Sequence, residues 1–169
     1  MRLGKEYYSK DAVALAKDML GKTLVRRFGD GTELRAKITE VEAYCGAEDL
    51  ACHASKGRTR RTEVMYKEGG RVYVYLIYGM YWMLNFVSGK ADHPQAVLIR
   101  SIENVTGPGR VGKVLRLDKS FYGEDLMKSD RIWVEKEPDV QSVVIRVSKR
   151  IGIDYAGEFW ANKPWRFFI

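Results

Sequence analysis

The sequence predicts an α+β fold, a single domain with a curved, mainly antiparallel β-sheet and a few short surrounding helices. Three observations carry that expectation. The 169 residues, 46% of them hydrophobic, are enough for one domain with a real core. A stretch near the N-terminus holds a helical period, whereas several later runs are β-branched, aromatic or alternating and are broken by Gly-containing turns. No internal repeat, low-complexity tract or interdomain linker divides residues 1–169.

Taken in order, Tyr8-Ser9-Lys10-Asp11 opens a helix, with Ser9 as the expected N-cap and Asp11 near the positive end of the dipole. Ala12, Leu15, Ala16, Met19 and Leu20 then form one apolar face, and Gly21 ends it. Lys22 to Phe28 reads as a strand, and Gly29-Asp30-Gly31 turns the chain into a second one, Leu34 to Tyr44. Strict alternation along that strand places Leu34, Ala36, Ile38, Glu40, Glu42 and Tyr44 on one face, so two acids and a phenol exit on the core side.

Residues 45–70 read as a surface loop with one short helical turn, concentrating Lys56, Arg58, Arg60, Arg61 and Lys67. Arg71 to Ile77 and Trp82 to Val87 read as paired strands joined by Tyr78-Gly79-Met80-Tyr81, and Gln95 to Ile102 as another strand. Gly107-Pro108-Gly109 leads into a short helix, Arg110 to Leu115, and a second helical stretch is expected over Gly123 to Met127. Arg131 to Val134 and Val143 to Val147 read as strands, and Pro164 to Phe168 closes the sheet or packs on it.

Charge narrows the partner. Lys and Arg outnumber Asp and Glu by 29 to 22, a net +7 that favours an anionic partner such as nucleic acid. Two cysteines, Cys45 and Cys52, make no disulfide framework, which points to a reducing compartment. The N-terminus lacks the apolar run of a secretory signal, and the uncharged run Val72 to Gly89 is interrupted by tyrosines and Asn85. A cytoplasmic, nucleoid-associated or nuclear location is expected, with no membrane partner.

Several chemistries lack their residues. Cys45, Cys52, His53 and His93 match no zinc spacing, and His53-Ala54-Ser55 breaks the H-x-E of a zinc deaminase, so no metal is expected. No phosphate-binding glycine loop and no G-x-S-x-G elbow occurs, so no nucleotide cofactor is expected either. Alone, Glu42 reads more readily as a strand-edge carboxylate paired with an arginine than as a catalytic acid. Tyr78-Gly79-Met80-Tyr81 either packs inward or presents an aromatic wedge to a base stack, with the neighbouring Arg60 and Arg61 on phosphates.

Longer blocks decide between these alternatives. Glu40-Val41-Glu42-Ala43-Tyr44-Cys45-Gly46, then Glu48-Asp49 and Ala51-Cys52-His53, resemble the E-x-E-A-Y-x-G…(E)D…A-x-H segment of the alkyladenine (3-methyladenine) DNA glycosylase family. Tyr73 to Tyr81, ending at Asn85, resembles that family's Y-V-Y-x-x-Y-G-M-[YH]-x-x-x-N, and Val97-Leu98-Ile99-Arg100 its V-L-[IL]-R strand. Gly107-Pro108-Gly109, Arg150-Ile151-Gly152-Ile153 and Pro164-Trp165-Arg166-Phe167 follow in family order, so the resemblance runs from Leu3 to the end. Trp82 and Met83 depart from the aromatic and small Cys common there, the Gly89–Pro94 segment is short, and many members continue past the position of Ile169.

The resemblance implies a base-excision-repair enzyme that flips damaged purines, alkylated or deaminated, out of double-stranded DNA and hydrolyses the bond to the sugar. It implies Glu42 as the base that activates water and Arg100 as its partner on water and phosphate. Tyr44, His53 and Tyr75 become walls of the base pocket, with Leu98 lining it and Asn85 rejecting the 2-amino group of guanine. Tyr78 becomes the wedge, with Met65, Met80, Arg60 and Arg61 at the DNA face. A monomer without cofactor is expected. A binder that has lost the chemistry, or an enzyme with a lysine-based lyase step, are the alternatives.

Overall fold

Short β-branched and aromatic runs between tight turns give a sheet that four short helices cover; the computed structural model describes residues 1–138 and 142–169. The strands are β1 (Thr23–Arg27), β2 (Glu33–Tyr44), β3 (Val72–Ile77), β4 (Tyr81–Val87), β5 (Ala96–Ile102), β6 (Val105–Thr106), β7 (Ile132–Glu135), β8 (Arg146–Ser148) and β9 (Arg166–Phe168). The helices are α1 (Lys5–Tyr8), α2 (Ala12–Met19), α3 (Pro108–Val114) and α4 (Glu158–Ala161). Among the described residues every strand pairing is antiparallel, in the order β3-β4-β5-β2-β1-β7, with β6 beside β5, β9 beside β2 and β8 beside β9. The α+β architecture is the one the sequence predicts.

The core lies under α2. Ala12, Leu15, Ala16 and Met19 are buried on that helix, against Leu24, Ile38, Val41, Leu84, Phe86, Val97, Ile99 and Phe167 of the sheet. Each Leu, Ile, Val, Met or Phe among them contributes roughly 1.5–3 kcal/mol by leaving water, and the two alanines less. The N-cap is Asp11, whose side chain accepts from the Ala14 N–H at 3.0 Å, and not Ser9. Ser9 instead ends the missed helix α1, its hydroxyl donating to the Glu6 carbonyl at 2.7 Å. On the same side of the sheet α3 adds Val111 and Leu115 to this core, and it packs against β4 so closely that a Cβ on Gly112 would lie 2.0 Å from the Trp82 carbonyl oxygen.

One departure from the predicted alternation places the functional residues. Ile38 and Val41 are three apart, which in a regular strand puts them on opposite faces, yet both are fully buried in the same core. The register explains it: Ile38 pairs with Ile102, Glu40 with Ser101 and Val41 with Ile99. Thr39 is an extra residue on β2 and Arg100 an extra one on β5, two compensating bulges that flip the phase of both strands. Glu42 and Tyr44 therefore face away from the main core, not toward it as strict alternation predicts, and Ala96, Leu98 and Arg100 turn to that side with them.

Three smaller expectations are also corrected. Gly123 to Met127 is not helical; its backbone caps the exposed edge of β3, with the Val72 N–H donating to the Glu124 carbonyl and Gly123 N–H to the Val72 carbonyl. Pairing begins at Arg146 and not at Val143, because Val143 and Val144 are exposed and only β8 reaches β9. The 45–70 loop contains two 3-10 turns, His53–Lys56 and Glu63–Tyr66, in place of one. Among the described residues no helix is long and apolar enough to cross a membrane.

Candidate active site

The face that the bulges expose forms the floor of a cavity of about 360 Å³, within the size range of small-ligand sites. Glu42 and Tyr44 come from β2, Leu98 and Arg100 from β5, Asn85 and Met83 from β4, and Tyr73 and Tyr75 from β3. His53 and Met65 enter from the two 3-10 turns of the basic loop, and Ile151, Ile153 and Tyr155 from the C-terminal segment. Antiparallel neighbours in register make this possible, since Tyr73 pairs with Asn85 and Asn85 with Leu98, while Leu98 pairs with Glu42.

Glu42 is completely buried and still accepts three hydrogen bonds. Its Oε1 takes Arg100 Nη1 at 3.1 Å and the Tyr44 hydroxyl at 3.2 Å, and its Oε2 takes the Ile151 N–H at 2.8 Å. Burial pushes its carboxyl above the ordinary range; Arg100, the Ile151 N–H and Tyr44 oppose that without cancelling it. Behind it, Glu40 accepts from the Ser101 hydroxyl at 2.8 Å and from Arg166 at 2.9 Å, and lies 3.5 Å from Arg100 Nε.

The walls are aromatic. His53 Nδ1 meets the Tyr73 hydroxyl at 2.8 Å, and its ring stands edge-on to Tyr75 with centroids 4.6 Å apart. Burial first, then Arg61 and Lys56, pull the imidazole down to about 4, so it is neutral at pH 7. Burial raises the phenols of Tyr44 and Tyr75, which stay protonated. The Arg61 guanidinium lies 5.0 Å from the Tyr75 ring centroid, at the cavity's edge. Asn85 is buried and donates through Nδ2 to the Tyr73 carbonyl at 3.2 Å, which fixes its amide against the wall.

Tyr78 stands at the mouth, 83% exposed, on the β3–β4 turn. Tyr78 and Gly79 both have positive φ, 52° and 65°, and the Met80 N–H donates to the Ile77 carbonyl at 3.1 Å. That is the backbone of a primed hairpin turn, which glycine adopts freely and a bulky L residue only under strain. The hairpin tip therefore presents its ring to solvent and does not pack it inward.

The structure thus gathers Glu42, Arg100, Tyr44, His53, Tyr75, Asn85, Leu98, Tyr78, Met65 and Arg61 around one cavity. Met80 and Arg60 are exposed on neighbouring turns outside its lining. Met65, expected at the DNA face, lines the cavity but is buried in its wall beside Cys52, Val64 and Tyr73 and does not reach an open face. Sequence reasoning missed Tyr73, Ile151 and Tyr155. Tyr73 shares the period-2 face of Tyr75 and Ile151 sits in the Arg150-Ile151-Gly152-Ile153 block, signals that were available, whereas Tyr155 arrives from more than a hundred residues away with none.

The sequence profile of the family described as Methylpurine-DNA glycosylase (MPG) matches residues 6–107 and 103–169. A provisionally named 3-methyladenine DNA glycosylase of Natranaerobius thermophilus is 44% identical, over all of this chain and 96% of its own length. Another of Methanocella arvoryzae is 40% identical over 98% of the chain and 91% of its own length. The DNA-3-methyladenine glycosylase of Mus musculus is 40% identical over 99% of the chain, which corresponds to 59% of the mouse protein. Together with a profile that runs through the cavity-lining strands to the last residue, these identities establish that the chain belongs to the methylpurine-DNA glycosylase family.

Proposed function

We propose that this chain excises damaged purines, alkylated or deaminated, from double-stranded DNA by hydrolysing the N-glycosidic bond, with Glu42 activating the water. The observation that carries the reading is a fully buried carboxylate at the floor of an aromatic-walled cavity, held by three donors and paired with Arg100. A structural carboxylate has no need of an open cavity in front of it. A base that must stay ionised next to a sugar does.

The reacting bond lies inside the duplex, so the nucleotide has to leave the stack, at a cost of ~a few kcal/mol that is least for damaged or mispaired bases. Tyr78 fills the gap it leaves, and Arg60 and Arg61 hold the backbone. Inside, Tyr44, His53 and Tyr75 stack on the base, an interaction worth ~1–3 kcal/mol and insensitive to sequence. Alkylated purines are cationic or electron-poor, so they stack well on tyrosine and leave readily. The neutral imidazole of His53 adds no positive charge against such a base.

Bond cleavage builds oxocarbenium character on the sugar, which the Glu42 carboxylate stabilises while it takes a proton from the attacking water. A raised carboxyl pKa makes Glu42 a stronger base than a surface glutamate, provided it is ionised, and Arg100 with the Ile151 N–H keeps it so. Asn85, immobilised by the Tyr73 carbonyl, narrows the pocket against the 2-amino group of normal guanine. The products are free base and an abasic site in an intact strand.

A base-release assay on single-lesion duplexes tests this. The wild type releases free base without cutting the strand, and Glu42→Gln binds the lesion but releases none. Unchanged turnover in that variant refutes the assignment of the base. A covalent adduct trapped by borohydride refutes simple hydrolysis in favour of a lysine lyase.

A further inference from the structure

Behind the cavity lies an ion pair that none of the chemistry above uses. Asp49 and Arg150 are both buried, with side chains entirely withdrawn from solvent, and pair in a fork: Nη1 to Oδ2 at 2.5 Å and Nη2 to Oδ1 at 2.9 Å. Asp49 also accepts the N–H groups of Cys45 and Ala51, which ties it to the loop that follows β2. The guanidinium lies 4.9 Å from the ring centroids of both Tyr44 and Trp165, and Nη2 donates to the Trp160 carbonyl at 3.1 Å.

Two backbone contacts give the pair a direction. Arg150 Nη1 donates to the carbonyl of Ala43, the residue after Glu42, at 3.1 Å. The residue after Arg150 is Ile151, whose N–H holds Glu42 Oε2 at 2.8 Å. Arg150 therefore fastens the C-terminal segment to β2 one residue from Glu42, and the same fastening delivers the amide to the carboxylate. A buried ion pair gives little net stability compared with apolar packing, so an energetic reason for keeping it is weak, while its fixed geometry is what a fork-to-fork pair supplies.

We propose that Asp49 and Arg150 are positioning residues for the reaction: their buried fork sets the Ile151 amide against Glu42 and so fixes the direction and ionisation of the carboxylate. The proposal rests on the reading of Glu42 as the base. The charged and titratable groups that also face Glu42 are Arg100 from β5, Tyr44 from β2, Tyr75 from β3 and Tyr155 from the C-terminal segment, with Glu40 and Arg166 one layer behind. Of these, Tyr44 alone packs on the Arg150 guanidinium described above, and Arg150→Lys keeps a cation beside it. What is lost is the one donor on Oε2, and an ionised carboxylate without it is less favoured.

The test uses the full chain and a duplex carrying one alkylated purine, read by single-turnover base release across pH and by lesion-DNA affinity. Asp49→Asn and Arg150→Lys are each expected to keep lesion affinity within about threefold, because stacking walls and wedge remain. Release at neutral pH falls about tenfold or more, and the acid limb of the rate profile moves to higher pH. Arg150→Lys retains the buried cation and decides the matter if Asp49→Asn does not fold. Ile151→Pro, which deletes the amide hydrogen and leaves the fork, gives the same shifted limb. An unshifted limb in a folded fork variant, or a rate loss equal to the loss in folded fraction, overturns the proposal. If Glu42→Gln itself keeps releasing base, the reading of Glu42 has failed; if it does not and the fork variants behave as wild type, only the clamp has.

Discussion

Arg100 Nη1 lies 3.1 Å from Glu42 Oε1, and both side chains reach that contact because each strand carries one extra residue at the same level of the sheet. Glu42 is wholly buried and Arg100 nearly so, with 13% of its side chain exposed. Removing the cation leaves a buried carboxylate with neutral donors only. Arg100→Met is therefore expected to destabilise the fold by about 3 kcal/mol, typical of a broken buried pair. It also raises the acid limb of base release and slows release at neutral pH by a hundredfold or more. Denaturant melts and single-turnover rates check both, and a variant with wild-type rate contradicts the role of Arg100.

Glu42 also links activity to stability through pH. Its folded-state carboxyl is raised above the ordinary value of 4.5, mainly by burial. A raised carboxyl binds its proton more tightly when folded, so its contribution to stability is complete below the unfolded value and is lost as pH rises through the folded one. Glu42→Gln does not titrate. Relative to that variant the wild type should lose melting temperature as pH climbs from about 4.5 toward neutral. Calorimetry at several pH values measures the difference, and a constant offset would falsify the shift.

Tyr78 predicts the opposite signs for stability and binding. Its φ of 52° is strained for a tyrosine, and its ring is mostly in solvent. Tyr78→Gly should relieve ~1 kcal/mol of backbone strain while losing a ring worth ~1–3 kcal/mol when it stacks among bases. The variant should melt higher than wild type and bind lesion duplex roughly tenfold more weakly, with a smaller loss on undamaged duplex. Equal losses on both duplexes would argue against the wedge.

His53 should remain neutral well below its ordinary range. Burial, Arg61 and Lys56 depress it from 6.5 to about 4. A depressed imidazole contributes stability that is present above 6.5 and is lost as pH falls toward 4. Imidazole NMR resonances assigned through a His53→Gln spectrum should titrate near 4 in the folded protein. A midpoint near 6.5 would show that the ring is not enclosed as described.

Asn85 fills the pocket wall with an amide pinned to the Tyr73 carbonyl. Asn85→Ala removes that volume, so release of normal guanine should rise relative to release of alkylated purine. Comparing the two rates in one assay gives the ratio. A ratio unchanged from wild type would locate guanine rejection elsewhere.

Much of the fold is written locally. The apolar face of α2, the strands from β1 to β5 and the β3–β4 hairpin follow from residue periodicity and turn chemistry, which act over a few residues. Expectations failed where the deciding contact is remote: residues 123–127 are shaped by the edge of β3, and β8 is cut short because only three of its residues meet β9. Glu42, the aromatic walls and the exposed Tyr78 were legible because they sit in ordered blocks resembling a family. Their period alone puts Glu42 on the wrong side of its strand.

The sequence by itself determined the α+β class, the main strands and helix α2, the family, and which acid, arginine and aromatics to watch. Tertiary structure alone decided that Glu42 faces a cavity, because the bulges at Thr39 and Arg100 reverse the strand phase only when β2 and β5 pair. It also decided what holds the carboxylate. The Ile151 amide and the Asp49–Arg150 fork lie far along the chain from Glu42, and a hydrogen bond between such residues leaves no periodic trace in the sequence.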